Sequence, residues 1–65
     1  MKYAHFLSFY NKPVTLAFKI NGDNVDIYSA EISGKAYKNI TPEREYKLFK
    51  YAVKCGVNFM EVAHA

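Results

Sequence analysis

The sequence predicts an α+β fold: a small antiparallel sheet, in the order β-β-β-α-β, with one amphipathic helix packed on one face. Three observations predict it. PVTLAFKI alternates apolar residues with others, Asn21-Gly22 separates it from a second run of that kind, and TPEREYKLFKYAVKCG carries start and stop signals around a helical period. Residues 1–65 form a single domain, because a chain this short has no room for a second core.

KYAHFLSFY fits two patterns. Tyr3, Phe6, Leu7 and Tyr10 make a helical stripe, whereas Tyr3, His5, Leu7 and Phe9 make one face of a strand. The aromatic density and the Asn11-Lys12-Pro13 turn that follows favour the strand. The second strand is the clearest, with Val14, Leu16, Phe18 and Ile20 on one face. Asn-Gly then signals a hairpin, because both residues tolerate positive φ. VDIYSAEI is the returning strand. Pairing Ile20 with Val25 and Phe18 with Ile27, or Phe18 with Val25 and Leu16 with Ile27, keeps the apolar residues together; a three-residue loop mixes the faces. Its phase changes between Ile27 and Ala30, which predicts a bulge near Tyr28-Ser29 or an end to regular pairing there.

SGKAYKNI, residues 33–40, is expected to be a connection. Thr41 then suits a helix N-cap and Pro42 the first helical position, while Glu43 and Glu45 sit near the positive end of the dipole. Gly56 is the natural terminator. At roughly 100° per residue, Tyr46, Phe49, Ala52 and Val53 share the apolar face, flanked by Leu48 and Cys55. Glu43, Lys47, Lys50 and Lys54 lie opposite. VNFMEVA reads as a final short strand.

Composition narrows the function. The net charge of +3 is concentrated: residues 34–56 hold six cations against Glu43 and Glu45, and the rest of the chain is slightly acidic. The single cysteine, Cys55, cannot form an internal disulfide, which points to a reducing, cytoplasmic setting. Met1-Lys2 precedes an aromatic run broken by His5 and Ser8, with no small-residue cleavage site, so no signal peptide is expected. No apolar run approaches the roughly 18 residues of a membrane span, so no membrane partner is expected.

Four groups of residues are candidate sites. Lys47, Lys50 and Lys54, with Tyr51 at their border, could form a mixed basic and aromatic surface that contacts phosphates or an acidic protein; lysines on a helix are also ordinary solvent-facing residues. Cys55 lies at the helix C-terminus, where the dipole disfavours a thiolate, so a structural thiol is the better reading. His5, His64 and Cys55 lack metal-ligand spacing, and Asp23, Asp26 and Glu31 fall on the hairpin rather than in an evident cleft. No cofactor, metal or catalytic set is therefore expected. Asn39-Ile40-Thr41 matches a glycosylation sequon, but an intracellular chain would not use it. Six tyrosines exceed what so small a core can satisfy. Some of Tyr3, Tyr10, Tyr28, Tyr37 and Tyr51 should therefore be exposed and suited to protein contact.

The opening MKYAHFLS, followed by an Asn-Gly hairpin and one amphipathic helix, resembles the small phage-encoded anti-CRISPR inhibitors of type I systems. A lysine-aromatic start and a Leu-Ser at comparable spacing carry the resemblance, which spans roughly the first third of the chain. Beyond the hairpin the sequence departs from that pattern and its helix is more basic, so no binding residue is carried over. The resemblance implies a class: a compact inhibitor that occupies a surface on a larger machine. The expected partner is thus a larger host protein or ribonucleoprotein complex. Nucleic acid, bound by the helix lysines, is the alternative, and a homodimer through a sheet edge is open.

Overall fold

A computed structural model describes residues 1–65 and shows an α+β fold. The strands are β1 (Lys2–Leu7), β2 (Pro13–Asn21), β3 (Asn24–Ile32) and β4 (Lys35–Tyr37); the helices are α1 (Pro42–Lys54) and α2 (Phe59–Ala63). The strands form one antiparallel sheet in the order β1-β2-β3-β4. Two elements differ from the sequence expectation. Residues 33–40 include an edge strand, and the expected last strand is a helix.

The central hairpin takes the register that pairs Ile20 with Val25 and Phe18 with Ile27, and it closes through Asn21 opposite Asn24. Of the two loop residues only Gly22 has positive φ, at 64°, as the first position of a type II′ turn requires. Ala17 faces Ser29 but Phe18 faces Ile27, so Tyr28 is the extra residue of a bulge. The bulge resets the alternation. Val25 and Ile27 before it, and Ala30 and Ile32 after it, thereby all reach the helix side.

β4 follows from a signal of the same kind. Ser33 and Gly34 have φ of 51° and 86° and bring Lys35 opposite Ile32. Two positive-φ residues between paired strands are the type I′ combination.

α1 starts and stops as its sequence predicts. The Thr41 hydroxyl accepts the Arg44 N–H at 3.2 Å, and Pro42 occupies the first turn. At the other end Gly56, φ 98°, donates its N–H to the Val53 carbonyl, and Val57 donates to that of Ala52, both at 3.0 Å. That pair of bonds is a Schellman motif, and it reverses the chain. Asn58 then caps α2 by accepting the Glu61 N–H at 3.2 Å. Asn58-x-x-Glu61 has the spacing of a capping box, and Val57 and Val62, at the staple positions, both pack on the core. Phe59, Val62 and Ala63 turn inward while Met60 and Glu61 stay exposed, a helical spacing that overrides the strand reading.

The two helices share one face of the sheet. α2 lies over β1 and β2, and α1 lies over β3. Phe59 stacks on Phe49 at 5.3 Å and meets Phe18 edge-on at 5.0 Å. α1 turns so that Ala52 is fully buried and Leu48, Phe49, Tyr51 and Cys55 are half-buried. Tyr46 and Val53, expected on the buried face, are exposed instead. The core is Ala4, Val14, Leu16, Phe18, Ile27, Ala30, Ala52 and Phe59, with no buried polar group. The sheet–helix core thus combines the large side chains of Leu16, Phe18 and Phe59 with the small ones of Ala4, Ala30 and Ala52.

Candidate binding surfaces

The register divides the sheet residues between two faces. Ala4 and Phe6 of β1 join the core side; Tyr3, His5 and Leu7 point to the uncovered side. On that side His5 Nδ1 and Thr15 Oγ1 are 2.9 Å apart across the β1–β2 pair. Ala17 is buried even here, between Tyr3 and Ser29. No helix of the protein is long and apolar enough to cross a membrane.

Lys47, Lys50 and Lys54 all project from the outer face of α1. Lys47 Nζ lies 3.5 Å from Glu43 Oε1, and both side chains are well exposed. Such an i,i+4 pair contributes about 0.3–0.5 kcal/mol and yields readily to a stronger acidic partner. Lys50 Nζ sits 5.3 Å from the centre of the Tyr46 ring. Lys54 lies in the last turn, where a cation complements the helix dipole.

Tyr51 is placed differently from its lysine neighbours. Its hydroxyl accepts the Phe9 N–H at 3.0 Å, its ring meets Phe9 edge-on at 5.1 Å, and Phe6 lies 6.5 Å away. It therefore ties α1 to the β1–β2 loop. The aromatic residue on the lysine face is Tyr46, 63% exposed, with Val53 beside it at 48%. The sequence pattern missed this because it assigned both to the core. The signal was there: Tyr46, Lys50 and Val53 are spaced four and three apart and share a shoulder of the helix.

On the opposite shoulder of α1, a groove of about 480 Å³ opens against β3 and β4. Ala30, Ile32, Tyr37, Ile40, Leu48 and Tyr51 are its apolar lining, joined by Arg44 and Lys47. The remaining candidates are dispersed. Cys55 is the C-cap of α1 and His64 that of α2, while His5 is held against Thr15. No three His, Cys, Asp or Glu side chains come together in a group that could hold a metal ion. Among the tyrosines Tyr3, Tyr10, Tyr28 and Tyr46 are exposed; Tyr37 and Tyr51 are half-buried.

No protein family model matches the chain, and no curated protein or solved structure matches it significantly.

Proposed function

We propose that this chain is a non-enzymatic protein-binding module, a phage or mobile-element inhibitor of the anti-CRISPR kind. It would act in the host cytoplasm by covering a surface of a larger nucleic-acid-processing complex. One observation carries the reading: Lys50 lies over the exposed ring of Tyr46, with Val53 beside them and Lys47 and Lys54 along the same outer face. A rigid exposed aromatic is a common interface anchor, and the lysines around it, as rim charges, complement an acidic protein groove. The opening MKYAHFLS and its hairpin, which resemble those of type I anti-CRISPR inhibitors, add the choice of target class. Tyr51 borders this surface, lining the adjoining groove beside Lys47, and also fixes the helix that presents the lysines.

Interference assays test the reading. A host carrying a type I CRISPR system and expressing the chain should lose immunity against a targeted plasmid. Lys47→Glu/Lys50→Glu should restore that immunity while leaving the circular dichroism spectrum unchanged. Inhibition that survives the double reversal removes the lysine face from the mechanism.

A second reading has its own support. Arg44, Lys47, Lys50 and Lys54 are all exposed along one helix, enough cations to follow a phosphate backbone. A small nucleic-acid-binding protein of this kind would shift an oligonucleotide in a gel and lose affinity steeply between about 50 and 200 mM salt. Absence of any shift at the lower salt eliminates it.

A further inference from the structure

We propose that the free edge of β1 is a self-association surface. A second copy of the chain pairs with it antiparallel about a twofold axis through Ala4, joining two four-stranded sheets into one. β1 borders the sheet and pairs only with β2, so alternate N–H and C=O groups of Lys2–Leu7 point outward without a strand partner. The two edges of the sheet are built differently. β4 is three residues long, with Lys35 at its start and Lys38 just beyond it, which are features that discourage pairing. β1 is six residues long, contains no proline or bulge, and carries a single formal charge, Lys2.

The exposed apolar surface gathers at the same edge. Of the nine large apolar side chains the protein leaves exposed, Met1, Tyr3 and Leu7 lie on or next to β1, and Phe9 and Tyr10 follow in its loop. Beside the edge runs a groove of about 620 Å³. Its lining includes four consecutive β1 residues, Ala4 to Leu7, whose side chains point to both faces of the sheet. A groove bounded in that way runs along the strand edge itself. Its far wall is the α1–α2 turn and α2, with Glu61 the only acidic side chain on it.

Charge selects the register. Pairing that keeps both copies' helices on one side must centre on a residue, because opposed residues share a face. Centred on Ala4, two small side chains meet at the axis, Tyr3 faces the partner's His5, and Met1 faces the partner's Leu7. Lys2 then falls opposite the partner's Phe6, on the helix side, where that copy's groove carries Glu61. The only charge on β1 thus meets the only acidic side chain of the groove, twice by symmetry. Centred on His5, the two imidazoles oppose each other and Lys2 moves out to the partner's Ser8, beyond the strand. Isologous edge pairing centred on Ala4 therefore sets the exposed apolar residues of β1 beside cross-strand neighbours and satisfies its charge.

Sedimentation equilibrium of the full chain, from low micromolar to about 1 mM, tests the proposal. The expected result is a species of twice the 7.5 kDa chain mass at the upper end. Lys2→Glu and Glu61→Lys should each weaken the dimer at least about tenfold, since each places like charges together. The combination Lys2→Glu/Glu61→Lys should return it to near the original affinity. Leu7→Lys, at a site 60% exposed, should also weaken it without lowering the melting temperature of the monomer. Lys47→Glu/Lys50→Glu should leave the dimer intact, because that face takes no part. A chain that stays monomeric at about 1 mM overturns the proposal. So does a dimer that the paired charge exchange fails to restore.

Discussion

Removing the Tyr51 hydroxyl isolates one bond that ties α1 to the sheet. In Tyr51→Phe the ring keeps its contacts with Phe9 and Phe6, and the only loss is the 3.0 Å bond from the Phe9 N–H. Phe9 is exposed, so water can take over that donor and no buried group is stranded. The cost should therefore be the net value of one hydrogen bond, about 1 kcal/mol, rather than a full desolvation penalty. For a domain of this size about 1 kcal/mol lowers the melting temperature by about 4–8 °C. Tyr51→Ala also removes a half-buried ring and its edge-on partner, and should cost about 2–3 kcal/mol, below the range for fully buried aromatics. Thermal and urea unfolding followed by circular dichroism at low protein concentration measure both, and the urea slope of Tyr51→Phe should stay constant. On the proposed function, any inhibition by Tyr51→Phe should match that of the original chain once both are fully folded. A Tyr51→Phe protein that melts with the original refutes the tethering role. One that keeps full stability but loses inhibition makes Tyr51 a contact residue instead.

Two further substitutions probe how the helices are set. Gly56→Ala places a Cβ in a left-handed conformation where nothing lies within 4 Å, so its cost is backbone strain alone, about 1–2 kcal/mol by urea unfolding. Ala52→Leu adds three carbons at the fully buried contact of α1 with the sheet; it should cost about 1–3 kcal/mol, and a neutral result would mean that the layers do not meet there.

The features legible in the sequence are those decided within a few residues. The phase change between Ile27 and Ala30 allowed a bulge or an end to pairing, matching apolar faces narrowed the hairpin to two registers, and Thr41, Pro42 and Gly56 marked both ends of α1. β4 was legible in principle, since Ser33-Gly34 between Ile32 and Lys35 is a two-residue hairpin signal. VNFMEVA was harder, because five to seven apolar-rich residues fit either period; Asn58 and Glu61, the two ends of a cap, were the discriminating pair.

By itself, the sequence determined that this chain forms an antiparallel sheet with an amphipathic helix whose lysines face outward. Alternation, turn chemistry and capping are local, and each acts wherever its residues stand. Only the tertiary structure decided which way α1 is turned about its axis. α2 occupies the sheet beside it with Phe59 stacked on Phe49, and in that arrangement Ala52 is fully buried, Tyr46 and Val53 are exposed near the lysines, and Tyr51 turns toward Phe9. A helical period identifies an apolar stripe, but its edges are assigned by whatever packs alongside, and a neighbour distant in sequence leaves no mark on the period itself.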